Sequence, residues 1–176
     1  MNTIRRLLTW DESLFLWVCS HQRPWCTRLM RGLTHFGDGT SWVIVSLILL
    51  VLGIPGTEQI GLLVGFGALF AALAAQAVKR VTRRRRPDVG IVGFKALVAN
   101  PDAFSFPSGH TAAAFGVAVA VMGHGSGLWP LMSGLAVSIG FSRVYLGAHY
   151  PLDVGVGALL GTASGAAAQL AVRSLL

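Results

Sequence analysis

Twenty consecutive residues, Gln59 to Val78, carry no charge, and the ten that follow, KRVTRRRRPD, contain six Lys or Arg. As a helix rising 1.5 Å per residue, the uncharged stretch reaches about 30 Å, the thickness of a bilayer's hydrocarbon core. A second run, Thr40 to Thr57 (TSWVIVSLILLVLGIPGT), is nearly as long. From Ser108 to Phe141 the only ionisable residues are His110 and His124, and GHGSG breaks this stretch near its middle, so it reads as two more spans joined by a tight turn. Val154 to Val172 supplies a fifth. With 53% hydrophobic and 12% charged residues the chain is too apolar for an ordinary soluble domain. The expectation is an all-α polytopic membrane helical bundle.

The first forty residues read differently. DESLFLWVCSHQRPW holds only about ten uncharged residues between Glu12 and Arg23, short for a span. This segment reads as a tilted or interfacial helix, with Trp10, Trp17 and Trp25 suited to headgroup depth. Asp11 and Glu12 interrupt the apolar stretch after Arg5 and Arg6, which argues against a secretory signal. Cys19 and Cys26, seven apart on a continuous helix, lie beyond disulfide reach. Gly157, Gly161 and Gly165 recur every four residues, as do Gly61 and Gly65, a spacing that lets helices approach closely in lipid.

A net charge of +7 raises the question of nucleic acid. Without a soluble domain or a basic face interleaved with aromatics, nucleic acid is excluded, and anionic headgroups or a phosphorylated lipid fit better. If the spans alternate, the helix ending at Val78 delivers Lys79 to Arg86 to one face. The loop from Pro87 to Pro107 stays there, and Ser108, Gly109 and His110 open the next span from it. After the GHGSG turn, the returning span brings Ser142 and Arg143 to the same face, where His149 and Asp153 begin the last span. Ionisable residues at span ends are expensive to place and are functional candidates.

Lys79, Arg86 and Arg143 suit a multiply charged oxyanion such as a phosphoryl group. Ser108 and Gly109 follow Pro107 at a helix start, where N–H groups and the dipole favour an anion. Two histidines can divide the nucleophile and acid roles that two-step covalent catalysis requires. Asp153, four residues after His149, is placed to orient that imidazole. No Cys/His/Asp set has metal-ligand spacing, so the expected reaction needs neither metal nor cofactor.

Lys79, six residues, Arg86-Pro87; Pro107-Ser108-Gly109-His110; and Ser142-Arg143, five residues, His149, three residues, Asp153 together resemble the three-part signature of the type 2 phosphatidic acid phosphatase superfamily. LTHFGDGTSW, Leu33 to Trp42, looks like the family's entry to its second helix. The resemblance implies a six-helix core in which the first helix joins the five spans, one domain over 1–176 with 1–39 as first helix and 40–176 as catalytic core. It also implies His149 as a nucleophile forming phosphohistidine, Asp153 orienting it, and His110 protonating the leaving oxygen. Lys79, Arg86, Ser108, Gly109 and Arg143 would hold the phosphoryl oxygens.

Arg80 and Arg83 to Arg85 fall outside the signature and read as an interfacial basic patch. Asp88, Lys95 and Asp102 read as solvated loop charges, and His124 as a turn residue. His35 and Asp38 read as capping or lining the second helix, with Asp38 able to approach the basic site. The expected substrate is a phosphorylated lipid, first a polyprenyl carrier such as undecaprenyl pyrophosphate. Phosphatidic acid, phosphatidylglycerol phosphate, lipid A phosphates and a polyprenyl-phosphosugar phosphate remain alternatives. A non-enzymatic binder of anionic lipid would leave His110, His149 and Asp153 without a purpose, and haloperoxidase-like chemistry does not suit a mostly transmembrane chain. The resemblance places the protein in the cell (inner) membrane with the site on the extracytoplasmic face, against the bias that keeps Lys and Arg on cytoplasmic loops.

Overall fold

The computed structural model describes residues 3–100, 102–125 and 127–176. Among them are eight helices, α1 (Thr3–Ser20), α2 (Pro24–Phe36), α3 (Gly39–Val51), α4 (Thr57–Thr82), α5 (Pro87–Gly90), α6 (Gly109–Met122), α7 (Trp129–Tyr145) and α8 (Pro151–Leu175). The one extended pairing among the described residues is an isolated bridge between Arg85 and Phe104.

Local chemistry sets the helix ends. In α4, Glu58 lies in the first turn and Lys79 and Arg80 in the last, each opposite in sign to the dipole end it meets. Arg83 stops α4 in the left-handed conformation, φ 48°, donating its N–H to Lys79 O. Pro151 sits in the first turn of α8, where Asp153 accepts the N–H of Tyr150.

Two expectations need correction. The first forty residues form α1 and α2 rather than one helix, broken at 21–23 ahead of Pro24, because the residue before proline is steered out of helical geometry. The run from Thr40 to Thr57 is not a continuous span. Ile54-Pro55-Gly56 ends the helix, with Gly53 and Gly56 at φ 67° and 85°, and α3 instead continues through a 58° bend at Gly37-Asp38 into α2. By length and composition α4 and α8 can each cross a bilayer, and the bent α2–α3 pair can make a third crossing. α6, with 14 residues, and α7, with 17, are shorter than the five-span reading supposed.

α6 is the central helix, packed against α4, α7 and α8. Its Val117 and Val121 meet Val64 of α4, Ile139 of α7 and Trp42 of α3 in the main apolar cluster. α3 lies on α4, and α1 and α2 lie on α7. Trp10, Trp17 and Trp25 are exposed, as are Val43, Ile44, Leu47 and Ile48 along α3, an apolar outer surface suited to lipid.

The regular glycines sit at these seams. A Cβ on Gly157 would lie 2.7 Å from Ser108 O, and one on Gly161 would collide with Ala112 O, both on α6 or its cap. Gly61 approaches Ser46 of α3, whose hydroxyl donates to Gly61 O at 2.8 Å. Gly161→Leu should therefore lower the thermal midpoint in detergent by several degrees, the order of 1–3 kcal/mol that overpacking costs. Gly155→Leu, with nothing within 4 Å of its Cβ, should leave the midpoint unchanged; equal effects would show that the α6–α8 seam is not tightly packed.

Candidate active site

The departure of the chain from α4 builds the first wall. Arg83 turns it away, and residues 84–86 then run beside 103–105: Ser105 N–H donates to Arg84 O at 2.8 Å and Arg86 N–H to Ala103 O at 3.4 Å. This pairing carries Asp102 between two cations. Lys79 Nζ donates to Asp102 Oδ2 at 2.8 Å, and Arg86 Nη2 to Asp102 Oδ1 at 2.7 Å. Arg86 Nε also reaches the Asp102 carbonyl at 2.7 Å. Asp102 is thus a structural counter-ion rather than the solvated loop charge expected of it. Burial works against its ionisation, but the hydrogen bonds from Lys79 and Arg86 outweigh this and hold its pKa below the usual value of 3.8.

The second wall is the turn between α7 and α8. Gly147, at φ 80°, reverses the chain where a Cβ would lie 2.7 Å from the Phe94 ring. Ala148 and His149 then both donate their N–H groups to Arg143 O, at 3.0 and 3.2 Å. His149 is buried, 1% exposed, with Nε2 3.1 Å from Arg86 Nη1, which also donates to Ala148 O at 2.9 Å. The Arg143 guanidinium reaches the hydroxyl of Thr34 on α2. Burial, and then the charges of Arg143, Arg86, Lys79 and His110, push the His149 pKa well below 6.5, so the imidazole is neutral.

Asp153 lies beside His149 as expected, but its Oδ2 is 3.6 Å from Nδ1, outside hydrogen-bond reach. That oxygen accepts the Tyr150 N–H at 2.9 Å, and Oδ1 accepts Arg84 Nη1 at 2.7 Å. Arg84 Nη2 donates in turn to Asp11 of α1 at 2.6 Å. Arg84 is therefore no member of an interfacial patch, whereas Arg80, Arg83 and Arg85 are exposed as that reading requires. Burial opposes the charge on Arg84, but the Asp153 and Asp11 carboxylates raise its pKa above the ordinary arginine value.

α6 contributes the third wall. Ser108 N–H is taken by Asp153 O at 2.9 Å, contrary to the expectation of a free anion-binding donor. Its hydroxyl accepts from Thr111 at 2.9 Å and keeps its own proton to donate. His110 Nε2 lies 2.7 Å from Asp38 Oδ1, at the bend between α2 and α3, and Asp38 Oδ2 is 3.3 Å from His35 Nδ1. Two spaces flank His110: a cavity of about 590 Å³ lined by Arg31, Thr34, Asp38, Asn100 and Arg143, and one of about 190 Å³ reaching Gln76, Lys79 and Gly109. Lys95 is exposed and His124 lies in the α6–α7 turn, both as expected. Among the described residues no three His, Cys, Asp or Glu gather as a metal would require.

All eight expected residues therefore converge, and Asp102, Arg84, Asp11, Asp38 and Thr34 join them. Their lining suits a tetrahedral oxyanion held by three cations and a hydroxyl at the end of an apolar helical bundle, next to an uncharged imidazole. An all-helical membrane protein of this kind handles phosphoryl groups. Residues 60–174 match the PAP2 superfamily, and the chain belongs to that superfamily as one of its membrane phosphatases. It is 39% identical over 145 residues, 82% of this chain and 79% of the relative, to the decaprenylphosphoryl-5-phosphoribose phosphatase of Mycobacterium tuberculosis. It is 30% identical over 153 residues, 86% and 73% of the two chains, to an undecaprenyl-diphosphatase of Sulfolobus acidocaldarius. The crystal structure of a transmembrane PAP2-type phosphatidylglycerolphosphate phosphatase from Bacillus subtilis superposes with a TM-score of 0.75 at 26% identity, covering 97% of this chain and 86% of that one.

The pKa shifts dictate a pH dependence. Unfolded His149 titrates near 6.5 while the folded ring stays neutral well below this, so stability is lost as pH falls from about 6.5. The Asp102 pKa is lowered, so its stabilisation is present above about 3.8 and disappears below it. Thermal unfolding should show a level midpoint from pH 8 to 7, a decline below 6.5 that is shallower in His149→Gln, and a steeper fall below 4. A flat profile from pH 7 to 4 in the parent protein would contradict this account of His149.

Proposed function

We propose that this enzyme removes the terminal phosphate from a polyprenyl-linked lipid, in the first place the phosphomonoester of a polyprenyl-phosphosugar. The observation that carries the choice is the cavity of about 590 Å³ beside His110 and Arg143, larger than a phosphate needs, in which Arg31, Asn100, Thr34 and Asp38 stand beside the apolar Leu97 and Val98. It can hold a sugar and a second phosphate, and the 39% identity to a phosphatase of such a lipid supports the same substrate class. Undecaprenyl pyrophosphate is the second reading, favoured by the archaeal relative.

In the proposed mechanism the His149 Nε2 lone pair attacks phosphorus while Lys79, Arg86, Arg143, the Ser108 hydroxyl and the Gly109 N–H hold the phosphoryl oxygens. The P–O bond to the lipid breaks as His110 gives its proton to the leaving oxygen. His110 then takes a proton from water, whose oxygen attacks phosphorus. The P–N bond breaks, freeing inorganic phosphate and neutral His149. Asp153 offsets the positive charge carried by the phosphorylated ring. No step calls on a metal or a cofactor.

The 176 residues form one domain in this reading, with α6 and α7 also within the bilayer, α1 completing a six-helix core, and the site at the extracytoplasmic face of the inner membrane. Arg84 is accounted for by its ion pairs, so fewer cations weigh against this orientation. Maleimide labelling of Val92→Cys, in a Cys19/Cys26-free background, should be blocked by an impermeant reagent added outside intact cells. Blocking only after the cells are opened would reverse the topology.

Phosphate release in EDTA should rank a polyprenyl-phosphosugar phosphate above undecaprenyl pyrophosphate, and both above phosphatidic acid. His110→Ala should reduce turnover by roughly 10²–10⁴-fold. His149→Ala should abolish it in a folded protein, and orthovanadate should inhibit as a mimic of the transition state. Preference for the pyrophosphate would select the second reading, and activity unaffected by excess vanadate would count against the site itself.

A further inference from the structure

Beneath His149, on the side away from the phosphoryl-binding cations, lies a buried ionic network that this mechanism does not use. It links α1 to α8 through Arg84. Asp153 is fully buried, the Asp11 side chain is 1% exposed and that of Arg84 22% exposed. The guanidinium divides its fork, with Nη1 on Asp153 Oδ1 at 2.7 Å and Nη2 on Asp11 Oδ2 at 2.6 Å. The carbon of that guanidinium lies 4.2 Å from the centroid of the Tyr150 ring, and Tyr150 packs on Phe15 of α1 with centroids 5.2 Å apart. Asp11 Oδ1 also accepts the N–H of Leu152 at 2.8 Å, in the first turn of the helix that carries Asp153.

We propose that Arg84 and Asp11 are positioning residues: Arg84 keeps Asp153 charged and fixed against the Nδ1 edge of His149, and Asp11, by sharing Arg84, keeps Asp153 a strong acceptor, so that the unprotonated Nε2 is on the side of the reacting phosphorus. The inference rests on the phosphohistidine reading above. Two carboxylates this buried cannot both stay ionised without a shared cation. With Arg84 between them the trio carries a net −1. Without Asp11, Arg84 would neutralise Asp153 alone, leaving it a weaker acceptor for the ring proton.

Among the described residues His149 Nδ1 has no hydrogen-bond partner, and Asp153 Oδ2 lies 3.6 Å away, one small movement from bonding when the ring gains positive charge. Arginine suits the place because its planar fork reaches two acceptors on different helices at once, which a lysine ammonium does less well. The remaining charges of the elements packed here are Glu12 on α1, Lys79 on α4, Arg86 and Asp102 in the loop after it, His110 on α6 and Arg143 on α7. The cations lie on the phosphoryl side of the ring, which leaves the Asp11–Arg84–Asp153 trio as the charge control on the other side.

The two ends of the network give opposite signatures. With p-nitrophenyl phosphate and micellar phosphatidic acid as probes, Arg84→Gln should lower kcat by about 10–100-fold, the scale at which outer partners of a reactive imidazole act. KM should change less than about threefold, and the acid limb of the kcat profile should move to higher pH, because Asp153 then protonates more readily. Arg84→Lys should recover part of both. Asp11→Asn should lower kcat less and move the acid limb to lower pH. Acid-labile phosphoenzyme, trapped by rapid quench, should fall with kcat in each variant. Variants that lose only thermal stability, with kcat per folded molecule and acid limb unchanged, would overturn the positioning role, and so would acid limbs moving the same way. If Arg84→Gln does not fold, Asp11→Asn alone decides by the direction of its shift. Full activity in His149→Ala would overturn the phosphohistidine reading and this inference with it.

Discussion

Burial of positive charge without full compensation is the constraint on which the site depends. Lys79, Arg86 and Arg143 are all less than 10% exposed, yet one carboxylate, Asp102, serves the first two, and Arg143 leans on a neutral threonine hydroxyl. Cations removed from water at such cost persist only where the surrounding structure holds them in place. Here the left-handed stop at Arg83, the pairing of 84–86 with 103–105 and the Gly147 reversal each fix one piece of backbone. The energetic debt is offset when a multiply charged anion enters, so phosphoryl binding is built into the way the helix ends are tied.

The carboxylates are sorted with equal care. Asp102 stays with Lys79 and Arg86, Asp38 with His110, and Asp11 and Asp153 with Arg84. This sorting gives the two histidines contrasting environments. His149 is enclosed by cations and kept neutral, while His110 has the Asp38 carboxylate 2.7 Å from its Nε2. Two rings of the same type thus face partners of opposite charge.

Much of this was legible in the sequence, because the cost of charge in lipid makes polar residues at span ends conspicuous. Lys79, Arg86, Ser108, His110, Arg143, His149 and Asp153 stand out in an apolar chain, and counting spans brings them to one face. What was hidden depends on where the backbone turns. Arg84 looks like any of four consecutive arginines until α4 is seen to end at Thr82, which points it at Asp153 while Arg83 and Arg85 face outward. Asp102 looks like a loop charge until the bridge between Arg85 and Phe104 folds it inward. The joining of α2 to α3 was hidden because Gly37-Asp38-Gly39 reads as a break, so the apolar count began at Thr40 and ran on into Ile54-Pro55-Gly56, where the helix has already ended.

The bend between α2 and α3 also stands between the residues of the three-part motif and most of those that line the larger cavity. Cations and histidines that meet a phosphoryl group cannot distinguish one lipid phosphate from another, since every substrate presents them with the same three oxygens. The larger cavity is lined chiefly by residues outside the three-part motif: Arg31 and Thr34 from α2, Asp38 from the bend, and Leu97 to Asn100 from the loop. Arg31 fixes this wall by donating to the Leu97 carbonyl at 3.2 Å, and Asn100 donates to Asp88 at 2.9 Å, so helix and loop are tied across the opening. In the proposed reaction a leaving group released beside His110 would pass along these residues, so α2 and the 97–100 loop are where selection among lipids would act, apart from the cations and histidines beneath them.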